Sequence, residues 1–275
     1  MKRIHQYSTQ HRAHSKISVV LIGAGGNGSS VLFGLPYLHQ ALLAWGHTSG
    51  LDVTVIDHDT VSPTNCVRQP FGSADVGLNK ATVLVDRVNL FHGLSWEAVS
   101  RPFDPKNMPL KTDYMSTVDL VISCVDTKAA RAQMHEAFFS HAGAWSNVRY
   151  WLDLGNSASS GQFVLGQPLN RANKRAADRL RCVSELFPSI IDVGSGEDAQ
   201  PSCSAAEALD RQEPFINNVL ASSALAMLTR LLRYGQISHH GALFNAESGR
   251  SAPLPIDPEA WTKHRRRQTR GARAA

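Results

Sequence analysis

The sequence predicts an α/β fold: a doubly wound, mostly parallel sheet with C-terminal strand and helix elaborations. Three observations predict it. Ile17–Ile22 and Leu51–Asp57 are short apolar runs rich in β-branched residues, as strands buried on both faces require. The first run ends in Gly23, Gly25, Gly26 and Gly28, and an Ala/Leu-rich helical pattern follows it. A third run, Val118–Val125, again leads into a helical pattern. Strands alternating with helices build parallel βαβ units.

Taken in order, Met1–Lys16 (1–16) reads as an irregular arm. A helix follows over Asn27–Trp45, with an interruption expected near Pro36 because proline removes a ladder hydrogen bond. Gly46–Gly50 is a loop, and Leu51–Asp57 is the second strand. Asp59–Asn79 is polar and turn-rich, and a connection this long without its own periodicity is usually functional. Lys80 opens a helix with Val83, Leu84, Val88 and Phe91 on one face. Trp96–Arg101 reads as a strand. The helix after Val118–Val125 turns Ala130, Met134, Ala137 and Phe138 inward. Trp151–Leu154 and Gly161–Gly166 read as strands, Arg171–Arg181 as an exposed basic stretch, and Gly194–Ser204 as a loop. Phe215–Leu232 is a strongly apolar helix with Leu220, Leu225, Leu228 and Leu232 in the core, and its apolar face suggests a homodimer. Leu243–Ala246 reads as an edge strand. Neither a repeat nor a linker divides the chain, so 17–262 forms one domain and 263–275 a basic disordered tail.

Composition narrows the class. The 275 residues are 43% apolar, enough for a sizeable core, yet no apolar run is long enough to cross a membrane. The N-terminus lacks the apolar centre of a signal peptide, so a cytoplasmic protein is expected. Cys66, Cys124, Cys182 and Cys203 lie far apart with no Cys-x-x-Cys, which argues against a disulfide framework and a structural zinc. The net charge of +5 belongs to the tail: Lys263, Arg265, Arg266, Arg267, Arg270 and Arg273 have no acid among them. Without these six, 22 basic residues face 23 acidic ones. A solvated tail, or one making weak nucleic-acid contacts, fits that pattern.

The chemistry gathers at the glycines. A glycine turn between a buried strand and a helix lets a ligand approach the backbone, while the helix start offers N–H groups to a phosphate. Asp57 ends the second strand, where an acid commonly holds ribose hydroxyls. Asp126 follows the third strand, and Arg68 and Lys80 lie between the two acids. In a parallel sheet Asp57, Asp126 and the glycine loop can face one crevice beyond the carboxyl ends of the strands. A dinucleotide does not call for an added Arg, Lys and second acid; a triphosphate under attack does. Each residue also has a plain structural reading: Arg68 as a loop salt bridge, Lys80 as a first-turn residue, Asp126 as a helix N-cap.

The ordered set Gly23-Ala24-Gly25-Gly26-Asn27-Gly28, Asp57-His58-Asp59-Thr60-Val61, Asn65-Cys66-Val67-Arg68-Gln69, Gly77-Leu78-Asn79-Lys80 and Cys124-Val125-Asp126 followed by Arg131 resembles the ThiF/ubiquitin-activating superfamily. Around Val183–Pro188 and Pro201–Leu209 the chain resembles the plasmid-associated PRTRC-system ThiF proteins. The resemblance implies a Rossmann-like fold and ATP-dependent adenylation of the C-terminal carboxylate of a small ubiquitin-like or sulfur-carrier protein. It implies that Asp57 binds the ribose of ATP, that Asn65 and Arg68 bind the phosphates, that Lys80 binds the phosphates and the transition state, that Asp126 holds Mg2+, and that Asp59 belongs to the nucleotide-binding set. It also implies a homodimer. The zinc-binding Cys-x-x-Cys pairs of many relatives are absent, and Arg12 is the candidate for their N-terminal arginine. Some relatives transfer the activated carrier to a cysteine; Cys203, in a loop before an expected helix start, is the first candidate and Cys182, after Arg181, the second. Two other functions share the glycine turn, an NAD(P)-linked oxidoreductase and a non-catalytic nucleotide-binding partner protein.

Overall fold

The apolar runs become the middle of one sheet. A computed structural model describes residues 4–6, 15–108, 118–176, 178–194, 213–259 and 261. In chain order these form β1 (His5–Gln6), β2 (Ile17–Ile22), α1 (Gly26–Ala44), β3 (Leu51–Ile56), α2 (Lys80–His92), β4 (Glu97–Val99) and β5 (Leu120–Ser123). There follow α3 (Lys128–Phe138), β6 (Tyr150–Asn156), β7 (Ser160–Gly166), α4 (Val183–Leu186), α5 (Ile216–Tyr234), β8 (Gln236–Ile237), β9 (His239–Asn245) and β10 (Arg250–Pro255).

The main sheet has eight strands in the order β10-β9-β7-β6-β5-β2-β3-β4. Strands β6, β5, β2, β3 and β4 pair in parallel, and β7, β9 and β10 continue the sheet antiparallel. The chain steps outward from β2 in both directions, first through β3 to β4 and then through β5 to β6. The switch point therefore lies between β2 and β5, where a crevice opens at the strand ends. Val19, Leu21, Val53, Val55, Val121, Ile122, Leu152 and Leu154 fill the sheet's centre. Helix α1 packs between α2 and α5, whereas α3 packs on Ala144–Asn147 and Pro188–Ile191. Right-handed crossovers from β2 to β3 and from β5 to β6 place these two groups on opposite faces.

Several elements differ from the sequence reading. Helix α1 runs unbroken through Pro36. The arm is not wholly irregular, because His5–Gln6 pairs with Gln236–Ile237 and His5 Nε2 lies 2.7 Å from the Tyr150 hydroxyl. The Asp59–Asn79 connection is folded by two short 3-10 turns, Pro63–Val67 and Ser73–Asp75, and by a Thr60–Asn79 bridge. Strand β5 stops at Ser123, so Asp126 lies three residues beyond it. The Arg171–Arg181 stretch is exposed only in part. Asn173 is buried, its amide donating to the Val148, Arg149 and Pro168 carbonyls, and Arg179 is held by Glu185 at 2.6 Å.

Strand β9 is an interior strand, and β10 takes the edge. Pro253 and Pro255 hid β10 in the sequence; an edge position tolerates them because one side of the strand needs no donors. The apolar face of α5 (Leu220, Ala224, Leu228, Leu231) is buried against α1 and the sheet, so it offers no surface to a second copy. No described helix is long and apolar enough to cross a membrane. The 263–275 tail lies outside the described residues.

Candidate active site

The glycine turn is sterically specified. Gly23 follows β2 with φ +92°, a conformation that L side chains rarely adopt. A Cβ there would come within 2.7 Å of the Cys124 carbonyl oxygen. A Cβ on Gly28 would fall 1.8 Å from the Gly23 carbonyl oxygen, so this glycine lets α1 sit tightly on the end of β2. Nothing lies within 4 Å of a Cβ on Gly25, which faces open space. Gly25 is also the N-cap of α1: no side chain caps the helix and no acid stands in its first turn. The first-turn N–H groups, Gly26 among them, are thus left for an anion.

Asp57 ties the second strand to this turn. Its Oδ2 accepts from the Ala24 N–H at 2.5 Å and its Oδ1 from the Asp59 N–H at 2.8 Å. Burial raises its pKa above the ordinary carboxylate value, against the opposing pull of these two donors. Beside it, Lys80 opens α2 and is 8% exposed, with Nζ 2.9 Å from Asp59 Oδ2. The anion that a lysine at a helix start requires is here the Asp59 carboxylate. Asn79 organises the corner: its Nδ2 donates to the Asp57 and Asp59 carbonyls, while its Oδ1 accepts from the Thr82 N–H and caps α2.

Asn65 sits in the first 3-10 turn, where its Oδ1 accepts from the Ser62 N–H at 2.9 Å. It shapes the loop that ends in Arg68. Cys66 does likewise, with Sγ 3.5 Å from the Gly72 carbonyl oxygen. Arg68 is half-buried. Burial lowers its pKa, and the nearby Asp126 carboxylate works in the opposite direction. Asp126 thus lies within electrostatic range of Arg68.

Asp126 itself is exposed, and it is not the cap of α3. Thr127 is that cap, accepting from the Ala130 N–H at 3.2 Å. Behind Asp126 lies a buried pair, Arg131 Nε to Asp153 Oδ1 at 3.1 Å, completed by the Ser123 hydroxyl on Asp153 and by Trp151 Nε1 on Ser123. This pair fixes the first turn of α3 to the middle of β6, beside the end of β5.

One three-donor group able to hold a metal occurs among the described residues, Asp57, His58 and Asp59. Asp126 is not in it. A lone carboxylate still suits Mg2+, which takes one or two protein oxygens with water and phosphate. Burial pushes the Cys124 and Cys182 thiols up. Cys182 is fully buried, so Arg181 does not activate it, contrary to the sequence expectation. Cys203 and Arg12 lie outside the described residues.

The structure thus gathers Gly23, Gly25, Gly26, Gly28, Asp57, Asp59 and Lys80 at one turn, and brings Arg68 within electrostatic range of Asp126, with Asn65 in the turn that leads to Arg68. Sequence reasoning missed Asn79 and Asp153. Asn79 stood in a motif whose lysine drew the attention, and Asp153 looked like any residue of an apolar strand.

An uncapped helix start, an acid after the second strand and a buried lysine beside it stand at one end of a doubly wound α/β sheet. The chain belongs to the ThiF family, whose model matches residues 2–258. Its fold is similar to that of PaaA, at a TM-score of 0.54 and 15% identity, over 90% of this chain and 66% of that one. It is also similar to E. coli MccB with ATP (TM-score 0.53, 17% identity, 89% of this chain and 65% of that one). E. coli MccB with MccA gives a TM-score of 0.53 and 17% identity, over 90% and 66%. The chain spans just under two thirds of the length of these proteins. No curated protein matches it.

Proposed function

We propose that this protein is an ATP-dependent adenylating enzyme that activates the C-terminal carboxylate of a small ubiquitin-like or sulfur-carrier protein. The observation that carries the reading is the uncapped start of α1 at the Gly23–Gly28 turn, with Asp57 bound to the Ala24 N–H and Lys80 held beside it by Asp59. Family membership supports it, as does the likeness in fold to MccB, solved with ATP and with MccA. PRTRC-like stretches point to a carrier encoded in such a system, and the resemblance adds a homodimer.

A carboxylate is a poor electrophile. In the proposed reaction its oxygen attacks the α-phosphorus of ATP, the bond to the bridging oxygen breaks, and pyrophosphate leaves with the electron pair. The first turn of α1 holds phosphate oxygens by its N–H groups, and Asp57 accepts from the ribose hydroxyls. Arg68 and Lys80 offset the charge that grows on the phosphoryl oxygens; Lys80 reaches them by exchanging Asp59 for phosphate. Asp126 would hold Mg2+, which supplies further charge neutralisation when bound. Cys203 is the proposed acceptor of the activated carrier.

Calorimetric titration with ATP and Mg2+, and separately with NAD, tests the reading. ATP should bind and NAD should not; tighter binding of NAD would overturn it in favour of an oxidoreductase.

A further inference from the structure

On the β6 side of the glycine turn, away from Asp57, three asparagines meet. Helices α1 and α5 are each 19 residues long and both start at this end of the sheet. The Glu213 N–H, just before α5, donates to the Ala158 carbonyl in the β6–β7 hairpin at 3.1 Å. Asn217, in the first turn of α5, lies against the first residue of α1. A Cβ on Gly26 would come within 2.4 Å of Asn217 Nδ2 and 3.1 Å of its Oδ1.

Asn217 is 1% exposed, yet among the described residues neither its Nδ2 nor its Oδ1 has a hydrogen-bond partner. A buried amide left so costs about 1–3 kcal/mol and calls for an explanation. Asn27, next to Gly26, leaves a second atom open. Asn156 Nδ2 donates to the Ser157 carbonyl at 3.0 Å, which orients that amide and makes its Oδ1 the acceptor. Asn27 Nδ2 donates to this oxygen at 2.8 Å, so Asn27 Oδ1 is the atom left over, and it too is buried without a partner among the described residues.

The open set is one amide NH2 and two carbonyl oxygens. That inventory decides the ligand class. A phosphate or an ionised carboxylate offers acceptors alone and would face two oxygens. A peptide group offers one C=O and one N–H, and it matches an asparagine amide in a two-bond pair. Adenine could also match an amide, but Asp57 draws the nucleoside to the β3 side of the turn. We infer that Asn217, with Asn27, reads the last peptide group of the acyl substrate, so that the site selects carboxylates preceded by a peptide bond. This inference rests on the adenylation reading, because it places the reactive carboxylate beside the phosphate-binding turn of α1.

The test is ATP–pyrophosphate exchange driven by a random pool of acetylated tetrapeptides with free C-terminal carboxylates. The comparison is the same pool N-methylated at the last peptide bond. In the wild type, N-methylation should lower exchange about tenfold, the scale of one lost hydrogen bond between buried groups. Asn217→Leu should raise the peptide KM about tenfold with ATP affinity unchanged, and should remove the sensitivity to N-methylation. Equal exchange with both pools in the wild type overturns the inference and leaves adenylation standing, and this comparison holds whether or not the variant folds. A folded Asn217→Leu with wild-type peptide KM overturns it as well. No exchange with either pool, while ATP binds, overturns the adenylation reading of peptide carboxylates itself.

Discussion

Lys80 and Arg68 carry the sharpest expectations at the scale of single residues. Lys80 is held by Asp59 at 2.9 Å, so it is oriented before any nucleotide arrives, and Arg68 lies half-buried within electrostatic range of Asp126. Losing one preorganised charge costs about 2.7–4 kcal/mol of transition-state stabilisation. Lys80→Ala and Arg68→Ala should therefore each lower adenylate formation at least tenfold, with circular dichroism unchanged; near-wild-type rates in both would remove these residues from the site. Both stand out in the sequence as candidates because a cation between two acids that follow buried strands suits a phosphate. Asn217 does not, since an asparagine at a helix start looks like ordinary capping until its buried, unpartnered amide is seen. Asp126 shows the opposite case: its reading as an N-cap was plausible, and only the Thr127 hydrogen bond to Ala130 assigns the cap elsewhere.

Among the elements, the β2–turn–α1 unit sets the geometry of the site. Gly28→Ala would push a methyl into the Gly23 carbonyl, which is backbone and cannot swing away. The strain should destabilise the fold by about 1–3 kcal/mol and abolish ATP binding, because α1 must move off β2. Gly25→Ala, with nothing within 4 Å of the new Cβ, should leave the melting temperature near wild type. Thermal melts of the two variants check this contrast. The buried parallel strands were plain in the sequence, since burial on both faces demands unbroken apolar runs. The antiparallel strands β9 and β10 were less plain. Arg250–Pro255 is largely exposed and carries two prolines, so neither alternation nor β-propensity marks it. Long helices were read within a residue or two, except that Pro36 did not break α1.

For the whole molecule, buried histidines set the acid response. His240 is fully buried and Nδ1 donates to the Leu165 carbonyl at 2.7 Å. Burial, opposed by the Leu165 hydrogen bond and helped by the charges of His5 and His239, lowers its pKa from 6.5 to about 4. The native state thus binds fewer protons than the unfolded chain in that window. The stabilisation is complete above pH 6.5 and is lost as pH falls through the folded value. Between pH 7.5 and pH 5 the His240 share should fall by about 2 kcal/mol. Urea unfolding of wild type and His240→Gln at the two pH values isolates that share, and an equal pH dependence in both would contradict it. His240 lies far along the chain from Leu165 and His5, which is why no local pattern announced it. The central claim is adenylation, and the most direct measurement is exchange of labelled pyrophosphate into ATP, with Mg2+ and a small ubiquitin-like or sulfur-carrier protein. The account predicts exchange that requires the carrier's free C-terminal carboxylate and is lost in Asp126→Ala; ATP binding without any carrier-dependent exchange would contradict it.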